Sequence, residues 1–332
     1  MKKYICLLLS FLVFIACKDE KSEGETEAPK VSEGAYAKSA GRTNTLTIVI
    51  DNQLWEGEIG NYLRKYLADG VPGLPQVEPL FTIKQMSHNA FSGFARKSRC
   101  FLRVNKGKPS NYQLLSNKYA RPQVGVEISG LTNEAIIDQF LIHKTEIVEA
   151  YKKVELYNRQ QVIKKALDIP SLKENLGIQI KAPRAYRVAK ADSSFYWLRK
   201  NINHGSMDIL MYEVPLEFFK DSLSLTQNII QLRDTYGGDN IPVGEGGRFV
   251  TEEAFSPFIK KTQLLGLEAY EARGTWEVKN KFMAGPFVNY TIKDEKNKRW
   301  LVLEGFVFAP SVNKRDYLFD LEAIIKSAVL AE

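Results

Sequence analysis

Three long apolar segments near the carboxyl terminus constrain the fold of this chain more than any other feature of its sequence. They read YEARGTWEVKN, GPFVNYTIKD and KRWLVLEGFVFAP, and they are rich in the β-branched and aromatic residues that favour strands. The four-residue EKNK between the second and third has the length of a hairpin loop. These segments predict an antiparallel meander, and Gly305 in the third predicts a bulge.

Helical and extended patterns alternate irregularly along the rest of the chain. A helix is expected after Asp51, ended by Gly70, and the longest helix is expected at about 133–167 with Thr132 or Asn133 as its cap. Further strands are expected at 44–50, 80–86, 99–105, 123–129, 178–200 and 206–215, a polar loop at 107–119, and helices at 223–236, ended by Gly237-Gly238, and at 314–330. Without regular β-α alternation, this order predicts an α+β fold of antiparallel sheets with packed helices. It divides the folded part into an amino-terminal half, 41–170, and a carboxyl-terminal half, 171–332, and leaves open that the halves are related.

The amino terminus has the composition of a secretory signal. Two lysines precede thirteen mostly apolar residues, Tyr4 to Ala16, which are too few for a permanent transmembrane helix. Phe14, Ile15 and Ala16 precede Cys17 as in a bacterial lipobox. We therefore expect residues 1–16 to be a lipoprotein signal peptide and Cys17 to be the acylated residue that anchors the mature chain in a membrane. The alternative is a chance cysteine beside a conventional cleavage site.

The residues after Cys17 bear on which side of the membrane the protein faces. Lys18-Asp19-Glu20 resembles a tripeptide that directs some Bacteroidetes lipoproteins to the outer face of the outer membrane. The alternative is that these charges only open a tether, because residues 17–40 are polar and carry almost no large apolar side chain. The expected location is the outer membrane, with the body facing the periplasm or displayed at the cell surface.

Charge and cysteine content limit the function classes. The chain has a net charge of +7, and the folded part keeps about that charge, since the signal removes two lysines and the tether carries more acids than lysines. A basic body favours anionic envelope polymers or lipid headgroups, and no nucleic-acid motif is present. Cys100 is the single cysteine of the folded part, which excludes an internal disulfide and predicts a small buried side chain, with a reactive thiol as the alternative.

Motifs for catalysis are weak. The three histidines have no metal-ligand spacing and no cysteine pair assists them, so we expect no metal and no cofactor. A nucleophile elbow is absent, although a dispersed triad stays open. The loop YGGDNIPVGEGGRFVTEE offers backbone N–H groups and Arg248 to an anion, but it lacks the flanks of a P-loop, and turn-forming glycines explain it equally well.

Three further residues are candidates for a ligand cleft. Arg273 lies in a predicted strand, Trp276 is one of the aromatic residues that could stack on a sugar, and Glu304 could belong to a carboxylate pair. Two of them have a structural alternative, namely core packing for Trp276 and a solvated or salt-bridged side chain for Glu304.

Long motifs of the meander resemble those of a Bacteroidetes lipoprotein family that contains a domain of unknown function. They are Arg273-Gly274-x-Trp276, Met283-x-Gly285-Pro286-Phe287-Val288, Glu304-Gly305-Phe306-Val307-Phe308-Ala309-Pro310, Lys314-Arg315 and Leu321-Glu322-Ala323-Ile324, and DNQLWEGEIGNYLRKYL with VPGLPQVEPLFTI resembles the family's amino-terminal half. The resemblance covers nearly the whole mature chain and supplies no catalytic residues. We therefore expect a non-enzymatic binding or scaffold module for an envelope protein or glycan; the alternative is an exported hydrolase of a cell-wall or exogenous polymer.

Overall fold

The computed structural model describes residues 37–331. Cys17 and the tripeptide Lys18-Asp19-Glu20 lie outside the described residues. No helix in the described range is long and apolar enough to cross a membrane. The α+β class predicted from the sequence is confirmed.

The amino-terminal half is a five-stranded sheet covered by helices. Its elements are β1 (Thr45–Val49), α1 (Asn52–Glu56), α2 (Glu58–Leu67), β2 (Thr82–Met86), β3 (Cys100–Lys106), β4 (Asn111–Ser116), β5 (Val124–Gly130) and α3 (Asn133–Gln161). The strand order is β2-β1-β3-β5-β4; all neighbouring pairs are parallel except the β4–β5 pair, which is antiparallel. The edge strand β4 occupies the segment predicted as a polar loop, because its largely exposed side chains hide the strand pattern.

The long helix α3 forms one wall of the first core. Its first turn is capped by the Thr132 hydroxyl, which accepts a hydrogen bond from the Ala135 N–H at 3.2 Å. Its buried side chains, including Phe140 and Tyr151, pack on β3 and β5. The helix ends at Gln161, six residues earlier than predicted. Residues 162–169, which we call the extended connection, then lead to α4 without forming a helix or a strand.

The extended connection lies against the beginning of the carboxyl-terminal half. The Leu167 N–H donates to the Ala182 carbonyl at 2.7 Å, and the Arg184 N–H donates to the Lys165 carbonyl at 3.3 Å. The connection between the halves is therefore held to the second half by backbone hydrogen bonds.

The carboxyl-terminal half is a curled antiparallel sheet with helices on both faces. Its elements are α4 (Pro170–Leu176), β6 (Ile178–Gln179), β7 (Arg187–Ala191), β8 (Phe195–Ile202), β9 (Gly205–Pro215), α5 (Leu225–Asn240), β10 (Phe249–Thr251), β11 (Phe258–Leu264), β12 (Leu267–Val278), β13 (Ala284–Asp294), β14 (Arg299–Phe308), α6 (Arg315–Ile325) and β15 (Val329–Leu330). The order is β10-β12-β13-β14-β9-β8-β7, with β11 also pairing with β12, while β6 and β15 form a separate pair. The predicted meander of β12, β13 and β14 is confirmed, and the two halves have different strand orders.

The two faces of the large sheet carry separate cores. Alternate residues of β9 and β14, such as Met211 and Leu303, pack with α4 and α6. The residues between them, such as Tyr212 and Val302, pack with α5. Period-two alternation of the strands explains this division.

Three glycines of this half allow close packing at positions where the sequence predicts a helix end or a bulge. Helix α5 continues through Gly237 and Gly238 to Asn240; a Cβ on Gly237 would lie 2.8 Å from the Phe249 ring, and one on Gly238 would lie 2.5 Å from the Arg248 guanidinium carbon. The β13–β14 register runs past Gly305 without a shift, so no bulge forms there, and a Cβ on Gly305 would lie 2.8 Å from Cβ of Leu321 in α6. Each of these glycines leaves room for a neighbouring element that a Cβ would crowd.

A carboxylate from the first half stabilises the start of the last helix. Both oxygens of Glu78 accept backbone hydrogen bonds, from the Lys314 N–H at 2.6 Å and the Arg315 N–H at 3.0 Å. Glu78 is buried, and an anion at a helix amino terminus is favourable. Helix α6 ends at Ile325, shorter than predicted, because the chain then turns to form β15.

Candidate functional site

Glu304, a candidate from the sequence, is a structural ion pair. It lies in β14 with 1% of its side chain exposed, and both of its oxygens accept hydrogen bonds at 2.8 Å from Arg233 of α5, which is fully buried. Asn289 of β13 donates to the same carboxylate at 2.8 Å, and the Arg233 guanidinium carbon lies 3.4 Å from the centroid of the Phe287 ring. All of these groups are buried in the core.

Arg273 is the centre of a second buried charge cluster. Its Nε donates to Glu271 and its Nη2 donates to Glu322 of α6, each at 2.6 Å. The Tyr290 hydroxyl lies 3.0 Å from Glu271 and 3.1 Å from Glu322, and Lys326 lies 2.8 Å from Glu322. The cluster therefore joins β12 and β13 to α6.

The charges of this cluster set the protonation of its carboxyl groups. Burial raises the pKa of Glu322, but the neighbouring Arg273 and Lys326 more than offset this and hold it well below its usual value. Burial raises the pKa of Glu271 as well, but Arg273 and Lys260 together outweigh burial and the repulsion of Glu322, so the pKa is lowered. Both carboxylates are thus stabilised as anions.

The space beside Arg273 is too small for a substrate. Lys152 of α3 and Glu322 line a cavity of about 30 Å³ there. A volume of this size holds one or two water molecules, whereas ligand pockets have about 300–1,000 Å³. Arg273 therefore ties β12 to α6, and the small cavity beside it is not a functional cleft.

Trp276 and Arg248 lie apart from these clusters. Trp276 is 2% exposed and stacks on Phe249 with 5.1 Å between ring centroids, so it belongs to the core. Arg248 lies on the surface, where it donates to Asp239 and to the Asp234 carbonyl, each at 2.9 Å. The four candidates from the sequence do not form one site.

The loop before Arg248 is engaged in internal contacts. Gly244 and Gly246 adopt left-handed conformations, with φ of 79° and 70°. Lys281 donates to the Val243 carbonyl at 2.8 Å and Asn280 donates to the Gly246 carbonyl at 3.2 Å. These glycines form turns, as the alternative interpretation of the sequence held.

A groove between the end of α3 and the second sheet is the site that the sequence did not reveal. It has a volume of about 480 Å³, and we call it the junction groove. Its charged and polar lining consists of Arg159, Lys164, Lys165, Tyr186, Lys200 and Asp320. Its remaining lining is apolar: Val162, Ile163, Pro183, Met207, Ala323 and Ile324.

Four cations face a single carboxylate in the junction groove. Asp320 of α6 accepts a hydrogen bond from Arg159 at 2.5 Å, which neutralises both charges. Lys164, Lys165 and Lys200 have no carboxylate within 4.0 Å among the described residues. With four cations and one carboxylate, the lining has a net charge of +3, and Lys200 is near enough to Asp320 to oppose the rise of its pKa.

Burial raises the pKa values of two side chains that line the junction groove, Tyr186 and Asp320. Tyr186 is 3% exposed, and its hydroxyl has no hydrogen-bond partner in the part of the chain that the structure describes. Burial, followed by the charge of Asp320, raises the pKa of Tyr186 well above its usual value, so the hydroxyl remains a neutral donor. Burial also raises the pKa of Asp320, although Arg159 opposes the shift.

A second groove lies on the other side of the extended connection. It has a volume of about 680 Å³ and is lined by Lys173, Lys181 and Lys326 with one acid, Asp168. Lys326 is engaged by Glu322. The surface on both sides of the connection is therefore basic.

No group of three His, Cys, Asp or Glu side chains within residues 37–331 comes together as metal ligands would. Cys100 is fully buried, and its sulfur lies 3.7 Å from an oxygen of Glu155. Burial, followed by the charge of Glu155, raises the pKa of the Cys100 thiol, which agrees with the predicted structural role.

Two family models match consecutive parts of the chain. Residues 39–164 match a domain of unknown function (DUF8532), and residues 165–327 match a second domain of unknown function (DUF4837). Together the matches cover nearly the whole chain. Their boundary falls between Lys164 and Lys165, so the junction groove takes residues from both matched segments.

Solved structures give only distant likeness. LpqN of Mycobacterium tuberculosis, described as involved in cell envelope biogenesis, is 13% identical over 47% of this chain and 83% of its own, with a TM-score of 0.28. The Ran-binding protein Mog1p of Saccharomyces cerevisiae is 8% identical over 47% of this chain and 91% of its own, with a TM-score of 0.30. No curated protein matches the chain.

Proposed function

We propose that this protein is a lipid-anchored envelope protein, held in the outer membrane through Cys17, whose body acts as a binding module for another envelope component. The observation that carries the proposal is the junction groove, where three lysines are left without carboxylate partners beside an apolar floor. Pockets between domains are common binding sites, and this groove spans the boundary of the two matched segments.

The state of the charged residues supports binding over catalysis. Glu304 and Arg273, which the sequence offered as site residues, are engaged in buried ion pairs. An exported hydrolase, the alternative function, needs an acid and a base directed at substrate. The one carboxylate that lines the junction groove, Asp320, is paired with Arg159.

The amino terminus supports the anchor. The apolar run ending at Ala16-Cys17 and the polar residues 18–40 have the order of a lipoprotein signal followed by a tether. A tether of this length gives the body reach from the membrane surface, so that a partner or a glycan in the envelope can meet the groove.

The anchor is tested by acylation and by protease accessibility. Cells producing the wild-type chain or Cys17→Ser are fed radiolabelled palmitate; we expect label in the wild-type band, and the Cys17→Ser chain unlabelled and absent from the membrane fraction. Label in both bands, or in neither, contradicts the anchor. Intact cells are then treated with protease: digestion of the wild type, with protection when Lys18, Asp19 and Glu20 are replaced by Ala, assigns the tripeptide to surface display.

A further inference from the structure

Tyr186 places an unused hydrogen-bond donor at the junction groove. Its hydroxyl is buried and has no partner among the described residues, and leaving such a group unpaired is costly. The Lys200 ammonium lies 5.9 Å from the centroid of the Tyr186 ring, which places a cation beside the same side chain. A ligand oxygen that reached this hydroxyl from the groove would accept a hydrogen bond from it and lie on the same side chain as the cation.

The extended connection brings two more cations to the groove. Lys164 and Lys165 are both exposed, and the backbone of Lys165 is fixed by the hydrogen bond from Arg184. Together with Lys200 they bring three ammonium groups to a groove that also holds a neutral O–H donor. A phosphate monoester carries nearly two negative charges and three acceptor oxygens, which fits this donor set better than a carboxylate does.

The floor of the groove is aliphatic. Met207 and Ile324 are buried there, and Val162 and Ile163 form part of the wall. Sugar rings are commonly held by stacking on aromatic faces, but Tyr186, the one aromatic residue in the lining of this groove, is buried. A volume of about 480 Å³ is within the range of pockets for small ligands. The apolar floor therefore fits an alkyl chain better than a sugar.

We propose that the junction groove binds a phosphate-bearing amphiphile, with the phosphoryl group at Lys164, Lys165, Lys200 and the Tyr186 hydroxyl, and the alkyl chain over Met207 and Ile324. This inference rests on the proposed function, because an anchored envelope protein is adjacent to phosphorylated lipids. It adds the ligand class and the residues that select it.

The test is calorimetric titration of the purified full chain with n-octyl phosphate, inorganic phosphate and n-octyl glucoside. We expect n-octyl phosphate to bind at least about tenfold more tightly than inorganic phosphate, because the chain buries apolar surface, and n-octyl glucoside to bind weakly or not at all. Equal affinity for the two phosphates assigns the groove to a free phosphate group and overturns the amphiphile. Equal affinity for n-octyl phosphate and n-octyl glucoside overturns the role of the lysines.

Two double lysine variants test whether n-octyl phosphate binds in the junction groove. Replacing Lys164 and Lys165 by Ala should weaken n-octyl phosphate binding at least about tenfold. The matched control replaces Lys173 and Lys181 of the second groove, which removes the same charge and should leave the affinity unchanged. Equal weakening in both double variants means general attraction to a basic surface and contradicts the assignment.

Tyr186→Phe separates ligand contact from a structural role. The substitution keeps the ring and removes a hydroxyl that has no partner, so the melting temperature should not fall, while the affinity should drop about tenfold. An unchanged affinity with a lowered melting temperature overturns the proposal. Acylation at Cys17 and membrane location are measured independently of these titrations, so a failure of this inference is distinguishable from a failure of the proposed function.

Discussion

The buried pair of Arg233 and Glu304 offers the sharpest test of the claim that Glu304 is structural. The two side chains are 0% and 1% exposed and share two hydrogen bonds of 2.8 Å. Glu304→Gln removes the negative charge and leaves the Arg233 cation buried without a counter-charge. Breaking a buried pair in this way costs about 3–5 kcal/mol, a large part of the stability of an ordinary domain.

Equilibrium unfolding in urea measures this cost, and an exposed ion pair provides a matched control. Asp239→Asn makes the same change in a carboxylate that accepts from Arg248 at 2.9 Å, but Asp239 is 59% exposed. We expect that substitution to cost less than about 1 kcal/mol, because water screens the pair. The double variant Arg233→Met with Glu304→Leu should recover part of the loss, since an apolar pair replaces the buried charges. A loss below about 1 kcal/mol for Glu304→Gln would refute the reasoning and reopen a functional role for Glu304.

Three further predictions concern other buried groups. Glu78→Gln should lower the free energy of unfolding by about 1–2 kcal/mol, because the last helix loses a charged cap. Glu174→Gln, at an exposed position, should have no effect, and equal urea midpoints for the two variants contradict this prediction. Cys100 should resist a thiol reagent in the native protein and react only in urea, since burial raises its thiol pKa; immediate labelling in the native state contradicts it. The pKa of Glu322 is lowered by folding, so its contribution to stability is present above the unfolded pKa of about 4.3 and is lost as the pH falls further below it. The stability difference between wild type and Arg273→Gln should therefore narrow from pH 5 to pH 3 in urea titrations, and a constant difference argues against this coupling.

Sequence patterns predicted the elements whose side chains alternate between core and solvent or that have standard caps. The strands of the meander and the start of α3 at Thr132 were predicted correctly for this reason. Strand β4 was not, because its exposed residues carry no alternation. Gly237 and Gly238 continue the helix they were expected to end, since their role depends on Phe249 and Arg248 of a later segment. Local patterns do not contain such contacts.

The candidate site was less predictable, because its residues are distant in sequence. Glu304 pairs with Arg233, 71 positions away, so its ion pair has no local signature. The junction groove joins the end of α3 to Tyr186, Lys200 and α6. The one local signal was the pair Lys164-Lys165. The predicted helix length placed this pair inside α3, whereas in the structure it follows the helix, in the extended connection.

Site-specific photocrosslinking in intact cells tests the central claim most directly. A photoreactive residue in place of Val162, which is 46% exposed and lines the junction groove, is compared with one in place of Phe282, which is fully exposed elsewhere in the described chain. If the protein is an anchored binding module, position 162 gives a crosslinked envelope component that is lost with Cys17→Ser and with Lys164→Ala/Lys165→Ala, and position 282 does not give it. The same product from both positions, or a product from position 162 that persists in both variants, would contradict the account.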